Sequence, residues 1–507
     1  MNNKDYDRAN KGFFINGIKY KRLLATTGGV KNNVIIYVSD YVYDELNRRL
    51  NNGRNPNVKL IPAKLEAYKA LACSASIPVT NTDKIIVVPD CVTKFKIDVI
   101  KLDDAIANPP KVHYEKDCPI ELEDSDGFGL ITPKLSKKWT EELDNKDYIS
   151  SGFCIRNSFC KGMLFTFDFH DFADKIAKDD WVTDIWGDKR NIKDAEIILT
   201  GSMLKLHSSY NNLEDYLRCC KENRYGFSVT KVIPKELENE RNLNYQFIQS
   251  LKLNDDDIDE LLQPTIDEIT DILGGDYRKA ILFLKGCYLT EDLAKLQSPD
   301  FAKAIMVDKR MIEDPFVRYR IHNMIEKRIN DAKVGVLKIN GNFSIISGDP
   351  YSLCQSMFGL EVTGLLKAGE FYSRYWNERD VQKVAAFRAP MTCHNNIRIL
   401  RFKNTNEMQY GYRYMNRCTI LNSWDTTTHA MNGADKDSDT ILTTNNPVIL
   451  RGIEEREAIL CVQKQAEKTI PTEEDLIQSN KNGFGDAIGT ITNKITSMFA
   501  VKAQFEE

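Results

Sequence analysis

The chain has 507 residues, 42% of them hydrophobic and 28% charged, with a net charge of −4 and a pI near 6.0. That length holds two to four domains, and the charge balance excludes a globally basic nucleic-acid binder, so any contact with nucleic acid has to come from local patches. No apolar run of about 18 residues is present to span a membrane, and the polar stretch Met1 to Asn10 is not a signal peptide, so cytoplasmic residence is expected.

In chain order, Phe13 to Ile15, Tyr20 to Leu24 and Val34 to Val38 read as strands, broken at Asn16-Gly17 and Gly28-Gly29. Residues 41–75 read as helical with an Asn/Gly/Pro-rich interruption at 51–57, and Ile85 to Val88 as a further strand. Residues 102–125, with Pro109-Pro110 and an acidic run, read as a loop. Strand signals dominate from about 126 to 235: Gly127 to Ile131, Lys161 to Phe169, Glu196 to Leu199 and Phe227 to Val232. Helical periodicity then takes over through Phe247/Leu251, Ile258/Leu261/Leu262 and Ile266/Ile269/Ile272. A second β-rich block follows. Val334 to Ile339 and Phe343 to Ile346 flank a hairpin signal at Asn340-Gly341-Asn342, and Ile397 to Phe402, Gln409 to Tyr414, Cys418 to Leu421 and Thr440 to Leu442 complete it. From 453 onward the chain reads as helical, with Thr472 as a helix cap. Twelve cysteines occur without a CxxC pair, which argues against a zinc ribbon and for reduced thiols.

The segment richest in chemistry is Asp435-Lys436-Asp437-Ser438-Asp439. Alternate residues of an extended segment face one side, so three carboxylates can converge. Such a cluster needs water or a hard cation: Mg²⁺, Mn²⁺ or Ca²⁺. The EF-hand spacing fails, because Thr440 and Asn446 stand where that loop needs Gly and Glu. A solvated turn after Asn432-Gly433 stays open. The run Asp255 to Asp259 offers a contrast, since acids before Leu261-Leu262 suit a helix N-terminus.

The aspartate run resembles the D-x-D-G-D metal loop of the two-barrel RNA polymerases, the superfamily that holds cellular DNA-dependent and RNA-silencing RNA-dependent enzymes. Further segments are similar in the same order: Ser125-Asp126-Gly127-Phe128-Gly129-Leu130-Ile131-Thr132-Pro133, Ile155-Arg156 through Lys161-Gly162, Gly201-Ser202-Met203-Leu204-Lys205, Arg388-Ala389-Pro390 through His394 with Ile397-Arg398, and Ile488 to Asn493. The resemblance is nearest to the RNA-silencing type and marks a distant branch, phage or bacterial. Ser438 departs from it by replacing the loop glycine, and a position that needs φ > 0 would be strained there.

The resemblance implies an α+β chain: an N-terminal α/β region at 1–112, a first double-psi β-barrel at 113–235, a helical connector at 236–332, a second barrel with the metal loop at 333–450 and C-terminal helices at 451–507. It implies template-directed RNA synthesis by two-metal attack of an RNA 3′-hydroxyl on a nucleoside triphosphate, with RNA favoured over DNA as template. Asp435, Asp437 and Asp439 would be catalytic and hold Mg²⁺, with Mn²⁺ as an alternative. Lys161 would face the phosphates, and Arg388, Arg156, Arg398 and His394 would bind substrate. Nucleic acid and nucleoside triphosphates are the expected partners. Apolar Met498, Phe499, Val501 and Phe505 near the C-terminus suggest a second polypeptide that completes the fold. Two other readings stay open: an inactive nucleic-acid-binding scaffold of the same fold, and a metal-stabilised structural protein.

Overall fold

In the computed structural model, residues 3–25, 35–103, 111–144, 148–285, 300–461, 466–482, 487–499 and 501 are described. The expected features at Gly28-Gly29, Pro109-Pro110 and Phe505 lie outside them. The chain is a mixed α+β protein built on two β-structures that share a core.

The first is a seven-stranded mixed sheet in the order Ile77–Pro78, Ser228–Val232, Gly152–Asn157, Cys160–Thr166, Phe128–Ile131, Ile197–Thr200 and Ile85–Val88. Its members come from both sides of residue 113. Cys160–Thr166 runs parallel to Phe128–Ile131, and both are buried almost throughout, the continuous apolar pattern of a strand covered on two faces. Gly129 sits where a Cβ would lie 2.2 Å from the Ile198 carbonyl oxygen, so only glycine lets these strands approach.

The second is a closed six-stranded barrel in the order Asn342–Ser347, Cys418–Leu421, Glu370–Tyr372, Arg398–Phe402, Lys383–Phe387 and Thr440–Thr444. Thr440–Thr444 closes it by pairing with both Asn342–Ser347 and Lys383–Phe387. Phe128, Met163 and Phe165 of the sheet share one apolar cluster with Ile345, Leu353 and Tyr412 of the barrel region. Between the two lie helices Asp255–Leu273, Tyr277–Lys285, Asp300–Val307 and Pro315–Lys333, which pack around Ile272, Ala280, Ile305 and Ile321. The acidic run at 255 is a helix start as expected, capped by Asn254 in a reciprocal capping box with Asp257. Among the described residues, no helix is long and apolar enough to cross a membrane.

Four local expectations fail for identifiable reasons. In the stretch read as helical from 453, Ala458–Cys461 is a strand, because it pairs in parallel with Val92–Asp103 and completes a three-stranded sheet. Residues 111–123 form the strand Lys111–Glu123, paired with Val92–Asp103, rather than a loop. Cys118, Ile120 and Leu122 alternate inward, and Pro119 is tolerated because the strand is at the sheet edge. Asn340-Gly341-Asn342 does not turn a hairpin: Lys338–Asn340 pairs with Glu240–Asn242, and Asn342–Ser347 enters the barrel. Residues 409–414 are not a strand. Thr405 caps a short helix, Asn406–Gly411, by accepting from the Met408 amide.

At the seam between sheet and barrel, Asp349 is fully buried and caps helix Pro350–Met357. It accepts from Tyr351 N at 2.9 Å, Leu365 N at 2.7 Å and the Tyr412 hydroxyl at 2.8 Å. Burial pushes its carboxyl up from 3.8 to about 6, against those hydrogen bonds. The penalty for ionising it is therefore fully present above pH 6 and is relieved as pH falls toward 4. This gives the fold a stability component of about 3 kcal/mol that grows on acidification through that window. Asp349→Asn is expected to remove that component, checked by urea unfolding of both proteins between pH 4 and 7.

Candidate active site

The aspartate loop lies between the short helix Thr427–Ala430 and strand Thr440–Thr444 of the barrel. Backbone contacts hold it at both ends: Ile346 N donates to Asp439 O at 3.0 Å, and Lys436 N donates to Asp126 O at 3.1 Å. The second bond brings the barrel's loop against the Ser125-Asp126-Gly127 turn that opens the sheet strand Phe128–Ile131. Asp437 is packed on this turn so closely that a Cβ on Gly127, whose φ is +83°, would lie 2.6 Å from the Asp437 Cβ.

The segments singled out in the sequence meet here. Ser202 Oγ accepts from Gly127 N at 2.9 Å and donates to Asp90 at 2.6 Å, which fixes the turn from below. Lys161 N donates to Met203 O, and a Cβ on Gly162 would lie 2.4 Å from Gly127 O. Lys161 therefore enters the cleft at a fixed height, and its Nζ lies 2.5 Å from Asp437 Oδ2. Arg156 stands directly opposite Lys161 on the neighbouring antiparallel strand, so both side chains share one face. Its Nη1 donates to Ile155 O at 2.7 Å, while its buried Nε has no protein partner.

Arg388 holds the loop from the barrel side. Its Nη1 donates to Met431 O at 2.8 Å and Asn432 O at 3.2 Å, and its Nη2 pairs with Asp439 at 2.7 Å. Asp439 also accepts from Asp435 N at 2.9 Å. The structure thus gathers Asp435, Asp437, Asp439, Lys161, Arg388 and, beside Lys161, Arg156. Arg398 stands elsewhere. Its guanidinium donates to the Ile397 and Arg456 carbonyls, and burial lowers its pKa. His394 is set between Ser250 O, at 2.9 Å, and the ring of Phe499, at 5.3 Å. Two residues at the loop were not assigned roles from sequence. Asp126 was visible within its motif, whereas Lys436 gave no signal.

Asp435 is exposed at the rim of a cavity of about 400 Å³ lined by Val92, Glu123, Thr428, His429 and Lys436 among others. The surrounding protein, then the charges of Asp126, Asp437 and Asp439, raise its carboxyl pKa, and Lys161 opposes them. Because the side chain itself is exposed, the repulsion among these carboxylates is the firmer cause. Among the described residues, no three Asp, Glu, His or Cys side chains already stand as a metal-holding group: Asp437 and Asp439 face Lys161 and Arg388 instead. The donor set fits a hard divalent ion nonetheless, with three carboxylates on one short loop and repulsion that such an ion would relieve.

Ser438 has φ +113°, in the region that favours the glycine it replaces. Ser438→Gly should relieve strain and stabilise the fold by about 1 kcal/mol, net of the entropy glycine adds to the unfolded chain, with activity retained. Urea unfolding of the variant reads this directly.

A sequence profile of the RdRP family, described as RNA dependent RNA polymerase, matches residues 1–505. The chain is 28% identical over 386 residues to the DNA-directed RNA polymerase YonO of Bacillus phage SPbeta, covering 73% of this chain and 43% of that protein. Its structure is similar to the RNA dependent RNA polymerase QDE-1 from Thielavia terrestris, with a TM-score of 0.58 and 12% identity, covering 96% of this chain and 52% of that one. The chain therefore spans about half the length of the relatives it matches. With a profile match from end to end and a fold shared with a solved member, the chain belongs to the RNA-dependent RNA polymerase family.

Proposed function

We propose that this chain carries the catalytic centre of a template-directed RNA polymerase that transfers nucleoside monophosphates to an RNA 3′-hydroxyl. The observation that carries the reading is the convergence of Asp435, Asp437 and Asp439 with Lys161 and Arg388, drawn from both β-structures onto one cleft. Asp435, Asp437 and Asp439 would hold Mg²⁺, which in two-metal sites stabilises the attacking and leaving oxygens. Lys161, with Arg156 on the same face, supplies fixed positive charge for a triphosphate in a site where each cation is preorganised. Arg388 pins the loop through the Met431 and Asn432 carbonyls and keeps Asp439 aligned. A guanidinium so placed also suits a ribose hydroxyl or phosphate.

The family description favours an RNA template. The phage relative has more than twice the identity of the solved structure and is named DNA-directed, and this favours a DNA template as the first reading. Extension of an RNA primer with Mg²⁺ and labelled nucleoside triphosphates, on matched RNA and DNA templates, tests both. Extension on DNA alone supports the first reading, and extension on RNA alone replaces it. Template binding without extension on either would mean an inactive scaffold.

A further inference from the structure

Lys436 lies between two exposed or half-exposed aspartates, yet only 2% of its surface is exposed. Its side chain leaves the cleft and runs inward, where Nζ lies 3.5 Å from Asp124 Oδ1. Asp124 is as deeply buried, at 1%. Its second oxygen accepts from Asp349 N at 3.2 Å and from the Ser423 hydroxyl at 2.7 Å, while Oδ1 has no hydrogen-bond partner. Asp124 N donates to Cys91 O. One carboxylate therefore receives contacts from three separate parts of the barrel region, at 349, 423 and 436, while it begins the turn that carries Asp126 and Gly127. The backbone repeats the join, since Lys436 N donates to Asp126 O.

We infer that Lys436 is a positioning residue: its buried ammonium clamps the aspartate loop to Asp124 and so sets the distance between the two halves of the candidate metal site. A buried charge is costly to leave alone, so each partner fixes the other. Because Lys436 sits between Asp435 and Asp437, a shift of its backbone moves both flanking carboxylates together. Outer-shell partners that orient metal ligands typically contribute 10–100-fold in metal affinity.

The inference rests on the metal-site reading above, and its test separates the two. In the whole 507-residue chain, Lys436→Met keeps an unbranched side chain as far as Cε and removes the ammonium. Mn²⁺ binding without nucleotide is followed by electron paramagnetic resonance, and amide hydrogen exchange is followed in the segments 431–440 and 123–128. Lys436→Met is expected to weaken Mn²⁺ binding by about tenfold or more and to speed exchange in both segments together, with Lys436→Arg giving partial recovery. Asp124→Asn, which removes the other partner at constant size, should reproduce both effects and carries the test if Lys436→Met does not fold. Unchanged Mn²⁺ binding and unchanged exchange in a folded variant would overturn the clamp. A wild type that binds no Mn²⁺ would overturn the metal site, while joint acceleration of the two segments would still support the clamp.

Discussion

Asp437→Ala should fold like the wild type and extend a primed template at least about 10³-fold more slowly. Asp437 is the carboxylate on which the two halves of the site meet. Its oxygen takes the Lys161 ammonium at 2.5 Å, and its Cβ packs on Gly127. Removing one preorganised oxyanion-hole donor typically costs 10²–10³-fold, and loss of a ligand to the ion should exceed that as well as the 10–100-fold cost of losing an outer partner. The fold should tolerate the change because the loop is held by bonds that Asp437 does not make: Asp435 N to Asp439, Ile346 N to Asp439 O, and Arg388 to the Met431 and Asn432 carbonyls. Single-turnover extension and thermal melting of the same preparations check both parts. A variant that melts early would move the residue from chemistry to structure.

Gly127→Ala is expected to have the second largest effect, and it tests geometry rather than charge. An added methyl would stand 2.6 Å from the Asp437 Cβ, 3.1 Å from its amide nitrogen and 3.2 Å from its Cα. None of these is the free end of a flexible side chain, so the aspartate loop or the turn has to move. A displacement of about 1 Å at a reacting centre costs on the order of 10²-fold. The positive φ of Gly127 adds backbone strain of its own. Gly187→Ala separates the two contributions, since Gly187 has φ +96° and nothing within 4 Å of its added Cβ. It should lose stability and keep activity, whereas Gly127→Ala should lose activity well beyond its loss of stability. Equal rates for the two variants at matched folded fraction would remove the close approach from the account.

What the sequence revealed, and what it hid, follows from how local each feature is. The aspartate loop, the Ser125 to Gly127 turn and the Lys161-Gly162 strand were legible because each is a short run that resembles a family segment, although residues 436–438 form a turn and not the extended segment that alternation of the three carboxylates assumed. For Ser438 the sequence raised positive φ only as a condition, and the structure meets it. Lys436 and Asp124 were not legible. Their pairing spans the whole connector, and a lysine among aspartates reads as solvated until the fold buries it. Arg398 has partners that no local pattern announced. Next to Ile397 it reads as a phosphate contact, and in the structure its guanidinium donates to the Ile397 and Arg456 carbonyls. The strand Lys111–Glu123 was hidden by Pro119 and its charges, because an edge strand tolerates both and its inward alternation is confined to Cys118, Ile120 and Leu122. The seven-stranded sheet borrows Ile77–Pro78 and Ile85–Val88 through pairings that no local pattern announces.

The central claim is that the aspartate loop and the two sheet segments facing it form one metal centre. Cleavage of the polypeptide by hydroxyl radicals generated at Fe²⁺ substituted for Mg²⁺ tests it most directly, because cuts report which backbone lies beside the ion. The account predicts cuts clustered at 435–439, 125–127 and near 161, suppressed by excess Mg²⁺ and absent in Asp437→Ala. Cuts that fall elsewhere, or that persist unchanged in Asp437→Ala, would contradict it.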